Sequence, residues 1–390
     1  MPNIKSQFLI DPSITFLNYG SFGASPKVVF DNYQNWQREL ESNPVQFITA
    51  NGIKYLENSR KALGDFVGCH KDDLVFVTNP SYAVNIVAKS FNLKQGDEVL
   101  TTNLGYGACD RTWKYYCNKV GAKYIQQEIN LPILSKDLFL KDFFAGVNER
   151  TKLIFVDHIT SATGLILPVQ EICDFANKKG ILVFIDGAHA PGHVPLNLQN
   201  LNPDFYTGAC HKWMMTAKGS SFLYAKKETQ KMLDPLVVSW GYDAIMPSHS
   251  SFLDYHQMQG TRDFSAFLTI PAALQFMNDN DWEKRKTDCR EIVLKNAKRF
   301  CDLLNTQPIS PLDNEFIGQM FSIPINTNNP LALKAILFEK YKIEVPIMPH
   351  NDKVYLRYSI QAFNNQADLN TLYNAMVDIM QTENELLFSF

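Results

Sequence analysis

Residues 181–224, ILVFIDGAHAPGHVPLNLQNLNPDFYTGACHKWMMTAKGSSFLY, decide how the rest of the chain is read. The run Ile181-Leu182-Val183-Phe184-Ile185 is continuously apolar and β-branched at both ends, which suits a parallel strand buried on both faces. Asp186 follows it directly. In open α/β sheets ligands bind outside the carboxyl ends of the strands, so this acid stands where a ligand would be, and burial there requires a partner. Residues 204–210 read as a second strand that delivers His211-Lys212-Trp213 into a turn, and residues 220–224 read as a third. One carboxylate and one amine are thereby brought to a common crevice.

Outward from this stretch, strands and helices alternate. Residues 74–78, 98–103, 123–129 and 152–158 read as strands. Helices are expected over 26–41, 52–67, 136–147 and 168–179, and this alternation implies a mostly parallel sheet covered on both faces. Past residue 224 the pattern changes. A long amphipathic helical region at 271–304 leads into strands near 318–325, 345–348 and 354–360 and a helix at 368–381, a small α+β unit. The expected division is an N-terminal arm over 1–25, a large domain over 26–275 and a small C-terminal domain over 276–390.

The composition of the 390 residues is that of an ordinary globular protein, 45% hydrophobic and 20% charged, with a net charge of −3. It provides no basic field for nucleic acid or anionic membrane, and neither is expected as a partner. No apolar stretch approaches membrane-spanning length. Seven cysteines, an odd number without a CxxC pair, suit a reduced cytoplasmic setting.

An amine and an acid at neighbouring strand ends fit pyridoxal-phosphate chemistry. A lysine holds the aldehyde as a Schiff base, and an acid pairs with the ring nitrogen so that the ring can accept electrons. The motifs Asp186-Gly187-Ala188-His189, Cys210-His211-Lys212-Trp213 and Lys218-Gly219 resemble the class V aminotransferases of fold type I, and within them the isopenicillin N epimerase-like branch. That resemblance implies a large domain with a mostly parallel seven-stranded sheet between helices and a smaller α+β domain. It makes Lys212 the Schiff-base lysine, Asp186 the ring-nitrogen partner, His189 a ring contact and His211 a phosphate contact. Lys218 is the rival amine, in a turn before a strand.

Further contacts follow from the same resemblance. Asn18, in the glycine-bracketed turn after a short apolar strand, would line the substrate side. Asn79-Pro80-Ser81 has helix-start chemistry, with Asn79 as cap and Pro80 in the first turn, and a helix N-terminus suits a phosphate; an ordinary capped helix explains the same letters. Pro80 has no N–H to donate. Tyr106, between two glycines, would stack on the cofactor, and Thr160 and Ser161 would reach it from a polar loop. Gly260-Thr261-Arg262 resembles a segment offered to a neighbouring subunit's active site, which implies a homodimer with shared sites and Thr261 on phosphate. Arg357 would bind the carboxylate of an amino-acid-type substrate.

Two other classes compete with this reading. The HxxxH spacing of His189 and His193 would suit a metal-dependent hydrolase if the segment were helical, but Gly187, Pro191, Gly192 and Pro195 break it. A cofactor-binding protein without turnover has the same motifs. The resemblance favours epimerase-like chemistry at Cα, with transamination or carbon–sulfur lysis as alternatives.

Overall fold

A computed structural model describes residues 4–383 and 386–388. Its strands are β1 (Thr15–Phe16), β2 (Leu74–Val77), β3 (Glu98–Thr102), β4 (Lys123–Gln127), β5 (Thr151–Asp157), β6 (Leu182–Gly187), β7 (Phe205–Ala209), β8 (Ser221–Ala225), β9 (Met320–Ile325), β10 (Ile343–Glu344), β11 (Ile347–His350) and β12 (Lys353–Ser359). Seven of them form one sheet in the order β2-β8-β7-β6-β5-β3-β4. Only β8 in that sheet runs against its neighbours. All residues of β2, β3, β7 and β8 are buried, as strands of a sheet covered on both faces are.

The two faces carry different cores. On one lie Val99, Phe155, Phe184 and Leu223, packed with Val84 and Val87 of the helix Pro80–Ser90 and Trp113 of the helix Gly107–Val120. On the other lie Leu100, Ile154, Val183 and Ile185, in a cluster that continues through Leu63 and Val67 into Val293, Phe300 and Tyr358. Burying each such side chain contributes about 1.5–3 kcal/mol. The second cluster crosses from the large sheet to the three-stranded antiparallel sheet β11-β12-β9, which seats the C-terminal part firmly. The arm joins in the same way: β1 pairs in parallel with β10.

The expected helical region at 271–304 is two helices, Ile270–Asp279 and Trp282–Leu303. Asp281 breaks it with φ at +48°, a left-handed conformation that aspartate tolerates better than most residues. Of the strand expected at 345–348, only 347–348 are in a strand, as the start of β11; residues 345–346 lie between β10 and β11, where Pro346 has no N–H for a ladder. All seven cysteines are free thiols. Among the described residues no helix is long and apolar enough to cross a membrane.

Candidate active site

Strand ends β5, β6 and β7 place the chemistry. Asp157 and Asp186 are register partners on adjacent parallel strands, and both are almost fully buried. The Asp186 carboxylate accepts the Ala188 N–H at 2.9 Å and the Cys109 thiol at 3.3 Å. Burial raises its pKa, and the Ala188 N–H, the Cys109 thiol and the Lys212 charge oppose that rise. Asp157 is pushed well above the usual carboxylate range by burial and by the Asp186 charge. One of its oxygens has no hydrogen-bond partner.

Lys212 lies in the turn after β7, with Nζ 3.3 Å from His189 Nε2. Burial and the Arg357 guanidinium lower its pKa from 10.5 to about 8, while Asp186, Cys109 and Asp157 pull the other way. The amine therefore carries an appreciable neutral fraction near neutral pH. Gly23 lets the arm close over this turn: its φ is +65°, and an added Cβ would stand 2.3 Å from the His211 carbonyl oxygen. Lys218, the rival amine, is exposed.

His211 donates Nδ1–H to the Ser220 carbonyl at 2.9 Å. Its pKa is lowered to about 4, chiefly by burial, so Nε2 is left as an open acceptor that a phosphate would have to protonate to bind. Asn79 caps the helix Pro80–Ser90 by accepting the Tyr82 N–H at 2.9 Å. Ser81 stands in the first turn of that helix, and Tyr106 directly precedes the helix Gly107–Val120, without a side-chain capping bond, and is 45% exposed.

Arg357 comes from the middle of β12 and is 1% exposed. It donates to the Ser161 carbonyl and to Ser21 Oγ, and Ser21 donates to Asn18 Oδ1 at 2.5 Å. Asn18 and Ser161 are thus gathered around the guanidinium, but Asn18 also donates to Glu344 Oε1 at 2.9 Å. Arg357 Nε is buried without a partner. The Thr160 hydroxyl is engaged within its own loop, 2.6 Å from Thr163 Oγ1 and accepting the Leu165 N–H at 2.9 Å. Its side chain is therefore committed locally, whereas Ser161 stays partly exposed. Thr261 is exposed and makes no hydrogen bond to these groups among the described residues.

Sequence reasoning did not reach Asp157, Cys109 or Ser21. Asp157 ends the apolar run Leu153-Ile154-Phe155-Val156, the same signal that points to Asp186. The other two are contacts across the fold and leave no local trace. The HxxxH pair does not form a metal site: His193 Nε2 accepts the Gln319 N–H at 2.6 Å and Nδ1 bonds the His189 carbonyl at 3.0 Å. Both of its nitrogens are occupied. Among the described residues no group of three or more ligand-type side chains is arranged for a metal.

The donor set fits pyridoxal phosphate. A lysine amine of lowered pKa, a carboxylate at the next strand end, a capped helix N-terminus and an orphaned guanidinium atom are what the aldehyde, ring nitrogen, phosphate and a bound carboxylate each need. Comparison with known proteins agrees. The family model of class-V aminotransferases matches residues 16–372. The chain is 30% identical to isopenicillin N epimerase of Amycolatopsis lactamdurans, over 97% of this chain and 98% of that protein. It is 26% identical to a probable chloroplastic L-cysteine desulfhydrase of Arabidopsis thaliana, over 96% and 84% of the two chains. The solved structure of a cysteine desulfurase from Thermococcus onnurineus NA1 superposes with a TM-score of 0.83 at 19% identity, covering 97% of both chains, a likeness of fold. The chain belongs to the class-V aminotransferase family, with the fold type I architecture and pyridoxal phosphate as cofactor.

Proposed function

We propose that this protein acts at the Cα of an amino acid or an amino-acid-bearing substrate, with epimerisation as its reaction. The observation that carries the reading is the grouping of the Lys212 amine with the Asp186 carboxylate and the Arg357 guanidinium, each close enough to shift the lysine's pKa. Pyridoxal phosphate, when bound, supplies an aldehyde for covalent attachment and a ring that accepts electrons. In our reading Lys212 carries the cofactor and, once free, its neutral amine takes the α-proton of the substrate. Asp186 holds the proton at the ring nitrogen, His189 contacts the ring, and Arg357 grips the substrate carboxylate with Asn18 beside it. Phosphate would be held by His211, Asn79 and Ser81 at the Pro80 helix start, with Ser161 contributing from the Thr160 loop and Tyr106 over the ring.

Epimerisation returns the proton to the opposite face of Cα. We assign that role to Tyr106 or to Tyr242 of the loop after β8, and Tyr106 retains its proton because burial and the nearby Cys109 and Asp186 raise its pKa. The 30% identity to an isopenicillin N epimerase supports this choice. A carbon–sulfur lyase reading draws on the likeness to desulfhydrases. A desulfurase using a thiolate nucleophile is disfavoured: residues 347–355 contain no cysteine, and burial raises the pKa of all seven thiols.

We place the cofactor-holding unit at 26–275, the small unit at 276–390 and the arm at 1–25, in a cytoplasmic homodimer whose Thr261 reaches the partner's phosphate. Incubation with candidate amino acids in deuterated water tests the reaction. Deuterium at Cα with loss of optical purity is expected. Keto acid with the aminated cofactor would indicate transamination, sulfide with a keto acid would indicate lysis, and no exchange with any amino acid would overturn the shared first step.

A further inference from the structure

Trp213 follows Lys212 directly, and its indole is fully buried. It is clamped between the His193 ring, 4.1 Å away and nearly parallel at 27°, and the Tyr19 ring at 5.2 Å. Gly192, with φ at +81°, allows the 189–193 turn to lie against the Trp213 backbone, where an added Cβ would be 2.6 Å from the carbonyl carbon. Held in this way, the indole directs Nε1–H at His189 Nδ1, 3.4 Å away.

An indole nitrogen donates and never accepts, so His189 Nδ1 must be the acceptor. The single proton of a neutral imidazole is then on Nε2, the atom 3.3 Å from Lys212 Nζ. The doubly protonated ring is excluded by burial and by the positive neighbours Lys212 and Arg357, which keep the His189 pKa well below its usual value. Its other neighbour, His193, is itself fixed. His193 Nε2 accepts the Gln319 N–H beside β9, and Nδ1–H donates to the His189 carbonyl. The His193 bond holds the His189 backbone in place, and the tautomer of the His189 ring is set by the single indole donor at Nδ1.

We propose that Trp213 is a positioning residue whose indole N–H locks His189 as the Nε2–H tautomer, so that the imidazole presents a donor, and no acceptor, to the Lys212 amine and to any acceptor bound before it. A neutral amine can accept that proton, whereas an ammonium facing Nε2–H meets like polarity. The lock thus favours neutral Lys212. The charged groups around the pair are Arg357 of β12, which lowers the lysine's pKa, and Asp186 of β6, Asp157 of β5 and Cys109, which raise it; none changes when the indole is replaced. Without the indole N–H the other tautomer becomes available, and its bare Nε2 accepts from the ammonium.

The inference rests on Lys212 as the reactive amine only for its functional consequence. Nitrogen-15 spectra of histidine-labelled protein, with and without cofactor, test the tautomer, with the His189 signals identified by their loss in His189→Gln. Protonated Nε2 and bare Nδ1 are expected in the wild type, and a bare Nε2 or a doubly protonated ring at neutral pH overturns the proposal without any variant. In Trp213→Phe the ring signals should move toward the other tautomer, and the pH midpoint for reaction of cofactor-free Lys212 with an amine reagent should rise by about half a unit or more. Unchanged signals and an unchanged midpoint in that variant would also overturn it. If Lys218 were found to carry the cofactor, the reading of Lys212 would fail while the tautomer result stood.

Discussion

Asp157 and Asp186 sit side by side as register partners at the carboxyl ends of β5 and β6, yet only Asp186 has both carboxylate oxygens partnered, by the Ala188 N–H and the Cys109 thiol. Asp157 keeps an oxygen unpartnered, and burial beside the Asp186 charge raises its pKa well above 3.8. The native state therefore binds this proton more tightly than the unfolded chain, so stability falls as pH rises from the unfolded pKa through the folded one. Asp157→Asn removes that penalty. We expect a higher Tm than wild type at pH 7, with the gain shrinking toward pH 4, each unit of raised pKa corresponding to about 1.4 kcal/mol. Calorimetry across that range checks it, and a loss of stability at pH 7 would mean that Asp157 is ionised in the fold.

Lys212 and Lys218 are separated by exposure and by neighbours. Lys212→Ala should abolish the covalent cofactor attachment that borohydride fixes and lower turnover by about 10²–10⁴ or more. Lys218→Ala should leave both within a few-fold of wild type. Peptide mapping after reduction identifies the attached lysine, and label on a Lys218 peptide would reverse the assignment.

The pKa of Lys212 depends on two opposed charges. Arg357 lowers it and Asp186 raises it, so Arg357→Gln should move the midpoint of amine reactivity in the cofactor-free protein above about 8 and Asp186→Asn should move it below. The neutral amine, and with it the proton-abstracting form, gains as pH rises through that midpoint. A shift of both variants in one direction would show that altered burial, not charge, governs the lysine. Asp186→Asn should also lose turnover while keeping the lysine attached to cofactor.

What the sequence revealed and what it hid have physical causes. Asp186 was legible because a doubly buried strand cannot end on an acid without purpose, and Asn79-Pro80 because capping is local chemistry. The strand of Asp157 is legible as an apolar run, but the polar Thr160 and Ser161 loop beyond it carries the stronger local signal for a ligand contact. Thr160 turns its hydroxyl inward, a choice made by the hydrogen-bonding needs of a buried turn. The reversed direction of β8 left no mark, since a strand buried on both faces reads the same in either direction. Contacts such as Cys109 on Asp186 and Ser21 on Arg357 join residues 77 and 336 positions apart. No local pattern encodes them.

The exposed surface offers a face for the composite dimer we propose. Val238, Trp240, Tyr242, Ile245 and Met246 are 67%, 73%, 54%, 87% and 87% exposed along one short segment, and the exposed Thr261 follows the helix Ser251–Gln257 that comes after it. Apolar groups concentrated in this way mark an interaction face, and a two-fold pair buries the same patch on both copies. Trp240→Glu with Ile245→Glu should convert the assembly to monomers in light scattering and release cofactor, because each site then loses its partner's Thr261. Mixing Lys212→Ala chains with Thr261→Val chains should recover part of the activity that each lacks alone, since one of the two sites in a mixed dimer has both intact residues. Full activity of a monomeric double-glutamate variant would show that each chain completes its own site.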